Sequence, residues 1–196
     1  MDITPEVLET AAQQGAKGAS DALAMMTSKQ VIVSTSRVEE LSLSGLVEVI
    51  NTPDENNIVA YSQVLTGVPG AALLLLERQE GLKLIDLLTG SPPGTTHELD
   101  DMGQSAIKET LNIISNSHIN ALSADFEMDM GIDVPNLITA LNVAEAIDYV
   151  AEESGENTTL YVFETILTVE EQYQVNVGLY IIFNPSLAQF IKKMKE

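Results

Sequence analysis

The sequence has no cysteine, only two histidines and few basic residues. Without cysteine, disulfides, thiolate catalysis and zinc-thiolate sites are excluded, and two histidines are too few for an all-histidine catalytic zinc site. Nine Lys and Arg against 29 Asp and Glu give a formal net charge of −20, which argues against binding to the phosphate backbone of DNA or RNA. Any chemistry must therefore come from carboxylates, amides and hydroxyls.

Long hydrophobic runs are also lacking. The longest apolar runs, such as residues 71–76, are far shorter than the roughly 20 residues that cross a bilayer. The first residues do not have the charged, apolar and small-residue pattern of a secretory leader, so we expect none. We therefore expect a cytoplasmic protein without a membrane partner. Its acidic surface fits either adaptation to a salty cytoplasm or the steering of a basic partner, and composition does not separate the two.

What the sequence does contain is a repeated order of predicted elements: helix, strand, helix, strand, strand, helix. The first helix begins with Thr4 as N-cap and Pro5 at the first helical position. The first half then reads as helix to residue 26, strand 31–38, helix 43–50, hairpin strands 58–65 and 71–77, and helix 81–88. Residues 89–96, with two prolines and two glycines, predict the link to the second half.

The second half repeats the order with helix 98–122, extended segment 132–138, helix 142–153, strands 159–167 and 174–183, and helix 185–194. These patterns predict an α+β fold in one domain, residues 1–196, built from two repeats of about 1–97 and 98–196. We expect the antiparallel sheets of the two halves to pair about a pseudo-twofold axis, with two long equivalent helices on the surface. Such pairing already buries the equivalent of a dimer interface, so we expect a monomer.

One polar patch on the second long helix is a candidate for chemistry. Ser105, Glu109 and Asn112 are spaced by four and three residues, which places them on one helical face. Alone, such a patch is typical of solvated helices. Pro135 follows Asn112 after a gap of 22 residues, and the complete pattern resembles the motif of the CheC, CheX and FliY proteins, in which Asp or Ser takes the first place.

The resemblance extends over essentially the whole chain and is closest to CheC. Residues 109–123 are similar to the second phosphatase helix of that family, and residues 13–19 are similar to its first helix, where members commonly carry Asn-Ile-Gly-x-Gly. The resemblance implies a phosphatase that hydrolyses the aspartyl phosphate of a CheY-type chemotaxis response regulator. Glu109 would dock to the active-site lysine of the regulator, and Asn112 would orient the attacking water through its amide oxygen.

The other motif residues are expected to support this pair. Ser105 lies one turn before Glu109, where it could touch the carboxylate, and Pro135 would fix the strand near the base of the helix. The chain is expected to bind no metal of its own, because the Mg²⁺ that neutralises phosphate charge would belong to the regulator. His118 falls off the same face and is predicted to be a packed or half-buried histidine rather than a phosphate carrier.

A second copy of the motif in the first half is degenerate. It has Glu6, Thr10, Gln13 and Ser36 where the family has Asp or Ser, Glu, Asn and Pro. Thr10 supplies no carboxylate, and the longer side chain of Gln13 moves the amide outward by a methylene. We therefore expect the first site to be inactive or regulatory.

Two other classes of function stay open. An adaptor would bind the regulator, or the CheD receptor deamidase that CheC-type proteins partner, without hydrolysis. A component of the flagellar switch would use a similar fold, but we expect the additional C-terminal domain of FliY-type chains to be missing here.

Overall fold

The computed structural model describes residues 5–50, 57–67, 70–127, 129–138, 159–169, 175 and 177–183. In this part of the chain the helices are α1 (Pro5–Thr27), α2 (Leu43–Ile50), α3 (Arg78–Thr89) and α4 (Asp101–Phe126). The strands are β1 (Val31–Ser42), β2 (Ile58–Thr66), β3 (Gly70–Leu76), β4 (Gly131–Ile132), β5 (Asn136–Ile138), β6 (Thr159–Val169) and β7 (Gly178–Phe183). The predicted helices at 142–153 and 185–194 lie outside the described residues.

The described strands form one antiparallel sheet in the order β1-β6-β7-β3-β2-β4, with β5 also paired to β2. The order is symmetrical, since at each end an edge strand pairs with a hairpin, and β3 and β7 pair in the middle. The predicted α+β class, with antiparallel strands and two long helices, is confirmed. The two predicted sheets are joined through β3 and β7 into one. The division of the chain into two repeats near residue 97 stays a prediction. Two such repeats would produce the symmetrical strand order.

The sheet is covered on both faces over its central strands. On one face a large core includes Ala72 and Leu74 of β3, and on the other a smaller core includes Ala71 and Leu73 together with Leu46 of α2. A strand buried on both faces has no solvent side for polar residues. This explains why β3 reads as an uninterrupted apolar run and not as an alternating one.

Small residues bring α1 close to the sheet and to α4. The buried face of α1 carries Ala11, Ala12, Gly15, Ala16 and Ala19. A Cβ on Gly15 would lie 2.6 Å from the Cα of His118 in α4, so only glycine allows the two helices to approach this closely. This crossing fixes the position of α4, which carries the motif residues.

The start of α4 differs from the prediction by three residues. Its N-cap is Asp100, whose Oδ1 accepts a hydrogen bond of 2.8 Å from the backbone N–H of Gly103. An aspartate at this position satisfies an N–H that has no partner within the helix, so the helix begins after Asp100 and not at Glu98. The helix then continues four residues beyond the predicted end at Leu122.

The predicted link between the halves is held by a buried carboxylate. Asp86 of α3 accepts hydrogen bonds from the backbone N–H groups of Gly94, Thr95 and Thr96, at 2.7 to 3.0 Å. Burial alone would raise the pKa of Asp86, but the hydrogen bonds from Thr96, Gly94 and Thr95 outweigh it and hold that pKa below its ordinary value.

No helix among the described residues is long and apolar enough to cross a membrane.

Candidate active site

The three motif residues of α4 lie on its outer face. Ser105 and Glu109 are exposed, and Asn112 is half-buried. The opposite face of the helix is completely buried and includes Ile107, Leu111 and Ile114. The polar side chains are therefore carried by a helix that the core holds firmly, which is the support that a positioned catalytic group requires.

The side chains of Glu109 and Asn112 are neighbours. Nδ2 of Asn112 lies 3.5 Å from Oε2 of Glu109, a long contact in which the amide donates to the carboxylate. On its other side, Oδ1 of Asn112 accepts a hydrogen bond of 2.8 Å from Nδ2 of Asn116. Asn116 was not among the predicted site residues. Its spacing of four from Asn112 was the available signal, but spacing alone does not show which amide donates.

The hydroxyl of Ser105 is engaged with its own helix. Its Oγ donates a 2.8 Å hydrogen bond to the backbone carbonyl of Asp101, one turn earlier. This bond uses the donor of the hydroxyl and leaves its oxygen as an acceptor. An ionised carboxylate can only accept, so in this arrangement Ser105 does not donate to Glu109, and its supporting role at the site stays a prediction.

Pro135 is buried in the short connection between β4 and β5. Both strands pair with β2, and the connection is tied to β2 because Asp133 N–H donates to the carbonyl of Gln63 at 2.8 Å and Ser62 Oγ donates to the carbonyl of Asp133. Proline lacks an N–H, so a break in the ladder is a position where it costs no strand hydrogen bond. Because α4 packs against β4 and β5, the connection lies within the framework that supports the helix.

The degenerate first site has a corresponding framework. Ser36 lies at a bulge of the edge strand β1, between Thr35 and Arg37, as Pro135 lies at a break in the other edge. Each residue follows the amide of its site, Gln13 or Asn112, by 23 positions. Equivalent motif positions thus occupy equivalent places at the two edges of the sheet.

The chemistry of the first site differs from that of the second. Thr10 and Gln13 are exposed on α1, and Gln13 lines a shallow pocket with Glu9, Thr35, Arg37 and Val38. Glu6 belongs to α1 and Ser36 to β1, but their side chains are outside the described part. The Nε atom of Arg37 lies 3.1 Å from carboxylate oxygens of both Glu39 and Glu164. The amide of Gln13 thus shares its pocket with an ion-paired guanidinium. That the first site is inactive or regulatory stays a prediction.

His118 is completely buried between α4 and α1, as a packed histidine. Its Nδ1 lies 2.9 Å from the carbonyl of Ile114, so Nδ1 carries the proton and donates, and Nε2 has no partner among the described residues. Burial lowers the pKa of His118 to about 4, against the opposing effect of the hydrogen bond to Ile114. The prediction that His118 is a packed histidine is confirmed. Across the described ranges, no cluster of three or more His, Asp or Glu side chains could hold a metal ion.

No family model matches the chain. Its structure is similar to FliY of Thermotoga maritima, with a TM-score of 0.71 and 18% identity over 98% of this chain and 97% of that one. The FliM middle domain from H. pylori gives a TM-score of 0.65 and 14% identity over 98% of this chain and 100% of that one. CheX from Desulfovibrio desulfuricans gives a TM-score of 0.57 and 13% identity over 89% of this chain and 99% of that one.

These similarities cover nearly all of both chains in each comparison, and at such low identity they establish the fold alone. The fold is also the one that the motif of α4 led us to expect. The chain therefore has the fold of the FliY, FliM and CheX proteins, which confirms at that level its resemblance to the CheC, CheX and FliY family.

Proposed function

We propose that the chain is a phosphatase that hydrolyses the aspartyl phosphate of a CheY-type response regulator. The observation that carries this proposal is the pair of Glu109 and Asn112, adjacent on the outer face of a helix whose other face is buried. The fold and the spacing to Pro135 support it, because the same residues at the same spacing form the family motif.

The reaction needs a water molecule in line with the bond between phosphorus and the aspartyl oxygen. The water oxygen forms a new bond to phosphorus, the bond to the aspartyl oxygen breaks, and the products are a carboxylate and dihydrogen phosphate. A loose transition state of this kind requires positioning more than a strong base. An amide oxygen suits the task because it accepts a hydrogen bond from the water without having to ionise.

Asn112 is placed for this role. Its amide oxygen has two lone pairs, of which one accepts from Asn116. The second lone pair is available to a water molecule, and the half-buried position of Asn112 leaves an approach from outside the helix. Asn112 would then set the angle at which the water approaches phosphorus.

Glu109 would set the position of the regulator. Its carboxylate is exposed one turn before Asn112 and can pair with the active-site lysine of the regulator. An exposed ion pair contributes only about 0.2–1 kcal/mol, so its value lies in fixing the register between the two proteins. The Mg²⁺ that neutralises the phosphate would be bound by the regulator, and the expected location of both proteins is the cytoplasm.

A second candidate is a binding module without catalysis. FliM folds in the same way, and FliM of H. pylori has been crystallised in complexes with SpeE and with FliG. A module of this kind would bind a protein of the chemotaxis or flagellar system, such as a CheY-type regulator or a CheD deamidase. It would use the outer face of α4 for contact only.

The two candidates differ in what the Asn112→Ala variant does. We would phosphorylate a purified CheY-type regulator with acetyl phosphate and Mg²⁺, remove the donor, and follow the loss of phosphate with and without the chain. We expect the wild type to accelerate the loss and Asn112→Ala to reduce this acceleration by about a hundredfold or more, because it removes the group that positions the water.

Binding is measured separately, with a regulator whose phosphate is replaced by beryllofluoride. We expect Asn112→Ala to bind like the wild type and Glu109→Ala to bind more weakly. Gln13→Ala, at the equivalent position of α1, is the matched control and should change neither quantity. Binding of the wild type without any acceleration would contradict the phosphatase and favour the binding module.

A further inference from the structure

We propose that Asn116 is a positioning residue that sets the orientation of the Asn112 amide; this inference rests on the proposed phosphatase function. Asn116 is half-buried and lies one turn after Asn112 on α4. It would not touch the phosphate or the water. It would act by determining that Oδ1 of Asn112 points towards Asn116 and Nδ2 points towards Glu109.

The orientation of Asn116 is fixed by the helix backbone. Its Nδ2 lies 2.8 Å from the backbone carbonyl of Asn112, and only the nitrogen of an amide can donate to a carbonyl. The same Nδ2 lies 2.8 Å from Oδ1 of Asn112. Nδ2 of Asn116 therefore donates to both the backbone carbonyl and the side-chain oxygen of the same residue.

This arrangement in turn selects the orientation of Asn112. Its oxygen faces the donor of Asn116, and its Nδ2 faces the carboxylate of Glu109 at 3.5 Å. A rotation of the amide by 180° would place two NH₂ groups opposite each other and an amide oxygen opposite a carboxylate. Two neighbours on opposite sides thus favour the same orientation, and the shorter contact is the one with Asn116.

The selected orientation has a direct consequence for the reaction. With one lone pair engaged by Asn116, the amide oxygen has one remaining direction in which it can accept a hydrogen bond from water. The flipped amide would present its NH₂ group, a donor, to the water instead of an acceptor. The water would then not be aligned for attack on phosphorus. Loss of Asn116 should therefore lower the rate of the chemical step and leave the affinity for the regulator unchanged.

The test uses Asn116→Asp, which has nearly the same shape but replaces the donor with an acceptor. Asn120 is exposed one turn further along α4, so Asn120→Asp makes the same change of charge away from Asn112. We expect Asn116→Asp to lower kcat about tenfold with an unchanged KM, less than the roughly hundredfold cost of displacing a catalytic group by 1 Å. Asn120→Asp should have the kcat of the wild type.

A second readout does not depend on turnover. The side-chain NH₂ signals of Asn112 in a ¹H–¹⁵N spectrum report the neighbours of that amide. We expect them to shift in Asn116→Asp and in Asn116→Ala, and to stay in place in Asn120→Asp. Asn116→Ala removes the donor without adding charge and serves if the aspartate variant fails to fold.

The outcomes separate this inference from the proposed function. An active wild type with equal kcat values for Asn116→Asp and Asn120→Asp would overturn the role of Asn116 and leave the phosphatase intact. A wild type without activity would overturn the phosphatase. In that case the NH₂ signals of Asn112 test the orienting role of Asn116. If these signals were unchanged in both Asn116 variants, that role would be overturned.

Discussion

Among single residues, His118 has the chemistry that depends most on its place in the fold. It is completely buried against α1, and its Nδ1–H donates to the carbonyl of Ile114. Burial disfavours the charged imidazolium and lowers the pKa of His118 to about 4. In the unfolded chain its pKa would be about 6.5.

This difference predicts a loss of stability in mild acid. Below pH 6.5 the unfolded chain binds a proton that the folded chain binds only near pH 4, so the free energy of unfolding falls as the pH is lowered through this window. The full loss is about 3 kcal/mol, and above pH 6.5 His118 contributes no pH dependence. Urea denaturation of the wild type and His118→Gln between pH 7.5 and 4.5 measures the difference in slope.

Carboxylates also titrate in this range and change the stability of every variant. The effect of His118 is therefore the difference in pH dependence between the wild type and His118→Gln. His97 is exposed, and His97→Gln is the matched control that should retain the slope of the wild type. If His118→Gln and the wild type lost stability in parallel below pH 6.5, the buried neutral imidazole would be refuted.

The sequence predicts which residues share a face of α4, but not which hydrogen bonds they make. The helical period was enough to place Ser105, Glu109 and Asn112 on one face, and the structure has them there. Period alone could not identify Asn116, because its role depends on which amide atom donates to which acceptor. Nor could it show that the hydroxyl of Ser105 bonds to its own helix.

At the scale of elements, the contact of α1 with α4 is the main constraint on the site. A Cβ on Gly15 would lie 2.6 Å from His118 Cα, whereas a Cβ on Gly18 would lie 3.7 Å from the nearest atom, Cβ of Ser117. The first distance is a clash with backbone, and the second is ordinary van der Waals contact. A side chain at position 15 would therefore clash with α4, whereas an alanine at position 18, one turn later, would fit.

This difference gives a matched pair of substitutions. Gly15→Ala should lower the free energy of unfolding by about 1–3 kcal/mol, because the helices must move apart. Gly18→Ala should be neutral or raise it by up to about 1 kcal/mol, because alanine has the higher helix propensity. Urea denaturation of both variants checks the prediction, and equal effects would mean that the helices do not approach closely at Gly15.

The existence of the described elements was largely predictable, and their ends were less so. The strand predicted at 31–38 extends to Ser42, because β6 pairs with it along its whole length despite Glu39 and Glu40. Strand pairing is a tertiary effect that overrides the low strand propensity of glutamate. The N-cap role of Asp100 was readable from its residue type, whereas the hydrogen bonds from residues 94–96 to Asp86 depend on how the link folds back.

For the whole molecule, the net charge of −20 is the dominant electrostatic feature. Like charges repel one another more strongly in the compact state than in the unfolded chain, and salt screens this repulsion. The Debye length falls from about 30 Å at 0.01 M salt to about 10 Å at 0.1 M and about 3 Å at 1 M. Much of the screening is therefore complete by moderate salt.

We expect KCl to stabilise the protein, with the steepest change at low concentration. Relief of about 1 kcal/mol of repulsion would raise Tm by about 2–4 °C for a chain of this size. Thermal unfolding monitored by circular dichroism between 0.01 and 1 M KCl measures the curve. A rise that is linear up to 1 M would indicate general exclusion of salt from the surface, and an unchanged Tm would contradict self-repulsion.

The most direct test of the whole account is multiple turnover by a small amount of the chain. A CheY-type regulator is phosphorylated, and the chain is added at about one-hundredth of its concentration while released phosphate is followed. We predict that each molecule of wild type releases many phosphates and that Asn112→Ala releases none above the intrinsic decay of the regulator. An unchanged decay in the presence of wild-type chain that binds the regulator would contradict the account.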